Sequence, residues 1–79
     1  MAHLPIDDAR DLFTWTTPKT WSAFSKVLQQ HKGKVDGISD ALIDLMIPIS
    51  QHFEQTGKPF PNTPEQLQEV LNHELASLR

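Results

Sequence analysis

Four histidines are the first residues in this chain that could do chemistry, because imidazole serves both as a metal ligand and as a general base. His31, His52 and His73 each lack a second ligand three or four positions away. A zinc site would therefore have to be assembled wholly from distant segments. Asp36, Asp40 and Asp44 recur at every fourth position and share one helix face, but no calcium-loop pattern surrounds them. They read as a solvated face. Ser22, Ser25, Ser39, Ser50 and Ser77 have no nucleophile-elbow context, and no glycine-rich phosphate loop is present. The absence of cysteine removes disulfides and thiolate metal sites. The expectation is no enzyme, no metal and no cofactor.

Binding chemistry is the remaining option. Seven Lys and Arg against ten Asp and Glu leave a net charge of −3, which argues against a dedicated nucleic-acid binder on charge alone. The distribution is uneven. Lys19, Lys26, Lys32 and Lys34 fall in residues 18–34 with no acid between them, and acidic stretches lie on both sides. This basic block is either a solvated helix face or a phosphate-facing patch. Trp15 and Trp21 are either core residues or platforms for stacking bases.

The elements that must carry these residues are short. A chain of 79 residues is one small domain that buries only about 60–65% of its unfolded surface, so oligomerisation or a partner is a natural supplement. No apolar run approaches the ~18–20 residues of a membrane span. The first residues have neither a basic region nor an apolar stretch, which predicts no secretory signal and a cytoplasmic location.

Thr17-Pro18 predicts an N-cap and first helical residue, with Trp21, Phe24, Leu28 and His31 at helical spacing and an end at Lys32-Gly33. A second helix starts at Asp36 or Ser39. Its stripe is Leu42, Leu45, Met46, Ile49 and Phe53, widened by Ile43 and Ile47. That width predicts a central helix buried on several sides, bent at Pro48 and closed by Gly57. Lys58 to Asn62 is stiff, extended chain. Thr63-Pro64-Glu65-Gln66 then combines a threonine cap, proline at the first position and a capping-box glutamine. The helix it opens places Leu67, Val70, Leu71, Leu75 and Leu78 on one face. This division predicts a dimerising helical core over residues 1–57 and a partner-binding segment over residues 58–79.

Residues 6–17 admit two readings. Leu12-Phe13-Thr14-Trp15-Thr16 alternates and favours a strand. Such a strand would pair with its own copy as an antiparallel ribbon in a homodimer, with Phe13 and Trp15 inward and Leu12, Thr14 and Thr16 outward. A ribbon of this kind fits the DNA major groove, where Thr14 and Thr16 would meet bases and Lys19, Lys32 and Lys34 would meet phosphates. Alternatively, a short helix from Asp7 or Asp8 turns Ala9, Leu12 and Phe13 inward. The chain is then a compact monomeric four-helix bundle and a protein–protein interaction module without DNA.

The strand, Thr17-Pro18, the helix ending at Gly33 and the helix from Ser39 resemble the ribbon-helix-helix repressors. Gly37-Ile38-Ser39-Asp40-Ala41-Leu42-Ile43-Asp44-Leu45-Met46, with Lys58-Pro59-Phe60 downstream, resembles the RelB/DinJ-type antitoxins within that class. The resemblance covers roughly residues 12–61. It implies a mainly α fold with a short N-terminal strand, a homodimer on operator DNA, and a C-terminal segment that covers a ribonuclease toxin. Phe60, Leu67, Val70, Leu71, Leu75 and Leu78 would make that contact, with Phe60 as the anchor between two prolines.

Overall fold

Residues 6–15 form a helix. In the computed structural model, which describes residues 3–34 and 38–77, α1 spans Ile6–Trp15, α2 Trp21–His31, α3 Asp40–Thr56 and α4 Pro64–Ser77. The strand expected over residues 12–16 is absent, and among the described residues there is no strand at all. The fold is mainly helical, as the bundle alternative requires.

Burial along α1 shows why the helix prevails. Ala9, Leu12 and Thr16 are fully buried, whereas Trp15 is 37% exposed and Thr14 is exposed. That is the 3.6-residue period, opposite in sense to the inward Phe13 and Trp15 of a strand. A helix satisfies its own backbone polar groups, while a strand at this place would need a second chain to do so. Asp7 in the first turn suits the positive end of the helix dipole. Thr16 ends the helix, and its hydroxyl donates to the Leu12 carbonyl at 2.7 Å.

The α2 start also differs from expectation. The Thr17–Pro18 peptide is cis, and Thr20 is the residue that caps, accepting from the Ala23 amide at 3.2 Å. The far end agrees with the sequence: α2 stops at His31, and Gly33 has φ +76°. The Gly33 amide donates to the Asp40 carboxylate at 2.9 Å, tying the turn to the head of α3. Ser39 caps α3 by accepting from the Leu42 amide; the alternative start at Asp36 lies outside the described residues. Gly57, φ +74°, closes α3. For α4, Thr63 accepts from the Gln66 amide at 3.2 Å, and Gln66 reaches back to the Asn62 amide at 3.3 Å. This is the expected capping arrangement displaced by one residue.

The four helices pack mainly as two pairs. α2 lies along α3, α1 lies along α4, and the contacts of α1 with α2 and of α3 with α4 are sparser. One continuous core results, from Leu4 through Phe24, Leu28, Ile43 and Met46 to Leu67, Leu71 and Leu75. It crosses the boundary expected at residue 57. Phe60 joins the core from the proline-rich connection, with its ring 4.8 Å from Trp21, 6.0 Å from Phe24 and 6.2 Å from Phe13. The Trp21 indole N–H is buried among these rings without a hydrogen-bond partner.

A polar clamp holds the two ends of the chain together. The Leu4 amide donates to Asn72 Oδ1 at 2.7 Å. The Leu4 carbonyl accepts from Asn72 Nδ2 at 3.0 Å and from Gln68 Nε2 at 3.2 Å. Asn72 thus meets both backbone polar groups of a fully buried residue. Asn72→Ala is expected to cost about 1–3 kcal/mol, since it leaves the Leu4 amide without its acceptor and removes the nearer of the two donors to the Leu4 carbonyl. Urea denaturation checks this, and wild-type stability in the variant would show that the clamp is incidental.

Candidate functional site

The residues expected to read DNA do not form one surface. Thr14 is exposed on α1, but Thr16 is buried and its hydroxyl is spent inside the helix end. Thr16 therefore cannot present itself to a base, which corrects the expectation for that residue. Lys19 folds back on the chain: its ammonium lies 4.3 Å from the centre of the Phe13 ring and donates to the Phe13 and Thr16 carbonyls. It acts there as a cap on the C-terminus of α1. Lys32 and Lys34 sit beyond the opposite end of α2, which at 11 residues separates them from Lys19 by roughly 16 Å. Lys32 is paired with Asp44 at 2.6 Å, and the hydrogen bond and charge of Asp44 raise its pKa. Lys34 is exposed.

The residues expected to face a partner are largely taken internally. Leu67 and Leu71 are fully buried and Leu75 nearly so, all within the common core. Phe60 and Val70 are half-buried against the same core. Leu78 lies outside the described residues. The leucine stripe of α4 is thus a core stripe, because α1 and α3 both lie against it.

What the chain leaves uncovered is on α3. The expectation of a helix buried on several sides fails at Leu45, 36% exposed, and at Pro48 and His52, both exposed. These residues follow one stripe at helical spacing. With Ile49 and with Glu74 from α4 they line a groove of about 340 Å³. It continues past Glu74 into a smaller depression of about 210 Å³ bounded by Lys58, Glu69, Val70 and His73. Beyond Lys58 lies a third hollow, about 440 Å³, along the Pro59–Asn62 connection. The groove exists because α3 and α4 touch sparsely while α3 carries more apolar girth than α2 and α4 cover. The sequence signal was Leu45 alone of the apolar stripe; the residues that widen the stripe, Ile43 and Ile47, are buried and half-buried.

Electrostatics around this region are acidic. Glu65 and Glu69 are exposed on α4 and Glu74 is half-buried. Arg10 of α1 bridges Asp7 at 3.7 Å and Glu65 at 3.9 Å, both exposed, long contacts worth at most a few tenths of a kcal/mol, ~0.2–0.5. Desolvation, then repulsion from Asp11 and Asp7, raises the pKa of Asp8. Its ionisation therefore works slightly against the fold, and this penalty disappears as pH falls through the raised value.

Among the described residues no three His, Asp or Glu side chains converge on a metal-sized site, and no helix is long and apolar enough to cross a membrane. No protein-family model matches the chain, and neither the curated proteins nor the solved structures yield a match.

Proposed function

We propose that this chain is a non-enzymatic helical module that binds another protein. The observation that carries this reading is the uncovered apolar stripe of α3, with Leu45 and Pro48 standing in a groove beside Ile49 and His52. Among the described residues, Leu45 and Trp15 are the large hydrophobic residues left exposed. Trp15 is stacked on His31, with ring centres 4.6 Å apart, whereas Leu45 opens onto the groove. Contiguous apolar surface in a concave setting between helices is the usual ground for helix-in-groove recognition.

An antitoxin-like regulator that neutralises a ribonuclease toxin is a narrower form of the same reading. It keeps one support, the acidic side chains of α4, which suit a basic partner. Its DNA-binding half, and the homodimer built on a ribbon, rested on a strand at residues 12–16. With a helix there they lose their geometric basis.

A photo-crosslinking side chain at position 45 tests the proposal, with position 30 as control, where Gln30 is exposed on α2. Irradiation in the native cell is expected to give a discrete cross-linked species from position 45 and none from position 30. Position 45 giving none, or the same pattern as position 30, counts against the reading.

A further inference from the structure

We infer that the α3–α4 groove is built for a lysine- or arginine-bearing amphipathic helix of a partner protein, an inference that rests on the docking reading above and specifies its occupant. The shape argument starts from α3. Leu45, Pro48, Ile49 and His52 are spaced as one face of a helix, so the apolar wall is about two turns long. The opposing wall on α4 is Val70, His73 and Glu74, with Glu69 beside them. Two facing helical walls with a trough between them match the stripe of a third helix laid along them.

The polar groups select the charge. Pro48 lies inside α3 and has no N–H, so the Asp44 carbonyl loses its ladder partner on the face where the Pro48 ring stands. Asp44 and Pro48 are both exposed, so water reaches that carbonyl. Glu69 and Glu74 add carboxylates, which when ionised only accept. Among the described residues lining the groove the cation against them is Lys58, whose ammonium is held 5.2 Å from the Phe53 ring centre at the far end. The Asp44 carboxylate is already matched by Lys32. The groove thus presents an apolar floor, surplus acceptors and net negative charge. An occupant with leucine-like residues on its inner face and ammonium or guanidinium groups at its edges satisfies all three. An acidic helix would set carboxylates against carboxylates.

The test uses the full chain and three synthetic helical peptides of about 15 residues. They share one leucine stripe and carry Lys, Gln or Glu at the flanking positions. Binding is read by titration calorimetry and by amide NMR shifts. The lysine peptide is expected to bind at least about tenfold more tightly than the glutamate peptide, with shifts concentrated at Leu45, Ile49 and His52. The difference should shrink as salt is raised. The double substitution E69K/E74K, on side chains with no hydrogen bonds among the described residues, is expected to invert the preference, and Leu45→Ser to weaken all three peptides alike. Thermal melting confirms that these variants fold. Equal affinities with shifts still in the groove overturn the charge assignment and leave the docking reading standing. Binding by none of the peptides overturns both. Concentration-dependent self-association that moves the same amide signals, and that Leu45→Ser abolishes, assigns the groove to a second copy of the chain and overturns the partner proposed here.

Discussion

A chain ending at Gly57 is expected to lose its cooperative fold. Residues beyond that point supply Leu67, Leu71 and Leu75, exposed by 0%, 0% and 4%, and the ring of Phe60 in the aromatic cluster. Burying a leucine side chain stabilises by about 1.5–3 kcal/mol. Three of them represent roughly 5–9 kcal/mol, against a total stability of about 4–12 kcal/mol for a chain of this length. The loss extends further, because α1 packs chiefly on α4 and Leu4 is held by Asn72 and Gln68. Without α4, Ala9, Leu12 and Leu4 would face water. Far-UV circular dichroism of the shortened chain should show a shallow, non-cooperative melt and a helix signal well below that of residues 3–57 in the intact chain. A sharp transition near that of the parent would mean that α4 is an appendage and that residues 58–79 form a separable segment after all.

Phe24→Ala is expected to be among the most damaging single substitutions. Phe24 is fully buried, meets Trp21 edge-on at 5.6 Å and lies 6.0 Å from Phe60. Truncating such a ring costs about 3–5 kcal/mol through lost transfer energy and the cavity left behind, and its aromatic pairs add to this by about 0.5–1.5 kcal/mol. The neighbouring rings come from α2 and the proline-rich connection, so collapse into the void would have to move more than one element at once. Urea denaturation should show a large fall in midpoint, or a variant unfolded without denaturant. Trp15→Ala is the internal comparison. Trp15 is 37% exposed and stacks on His31 at the edge of the molecule, so its loss should be clearly smaller. Equal losses would contradict the placement of the aromatic core.

The reason that a core this small tolerates an internal proline is also visible in α3. Pro48 faces solvent, so its ring displaces no core side chain. The inner residues Met46, Ile49 and Phe53 stay packed. The buried Ser50 hydroxyl is satisfied locally, donating to the Ile47 carbonyl at 2.7 Å.

The amino-acid sequence by itself determined the local events. Gly33, Ser39, Gly57 and Thr63-Pro64 stop and start helices through their own backbone preferences and side-chain caps, and these act over three or four residues whatever surrounds them. The apolar period did the same for the inner faces of α2 and α3: Phe24, Leu28, Leu42, Met46, Ile49 and Phe53 are all buried. Tertiary structure decided the rest. Residues 12–16 suit a strand or a helix locally, and α4 lying alongside tips them to helix by burying Leu12 on a 3.6-residue period. The α4 leucines are apolar in any context; only the position of α1 makes them core and not a docking face. The widened stripe of α3 is likewise the same in either reading, and only the sparse contact between α3 and α4 leaves Leu45 and Pro48 uncovered. Which apolar face is interior depends on how many neighbours can reach it, and that is set by the packing of whole helices, not by the residues of any one of them.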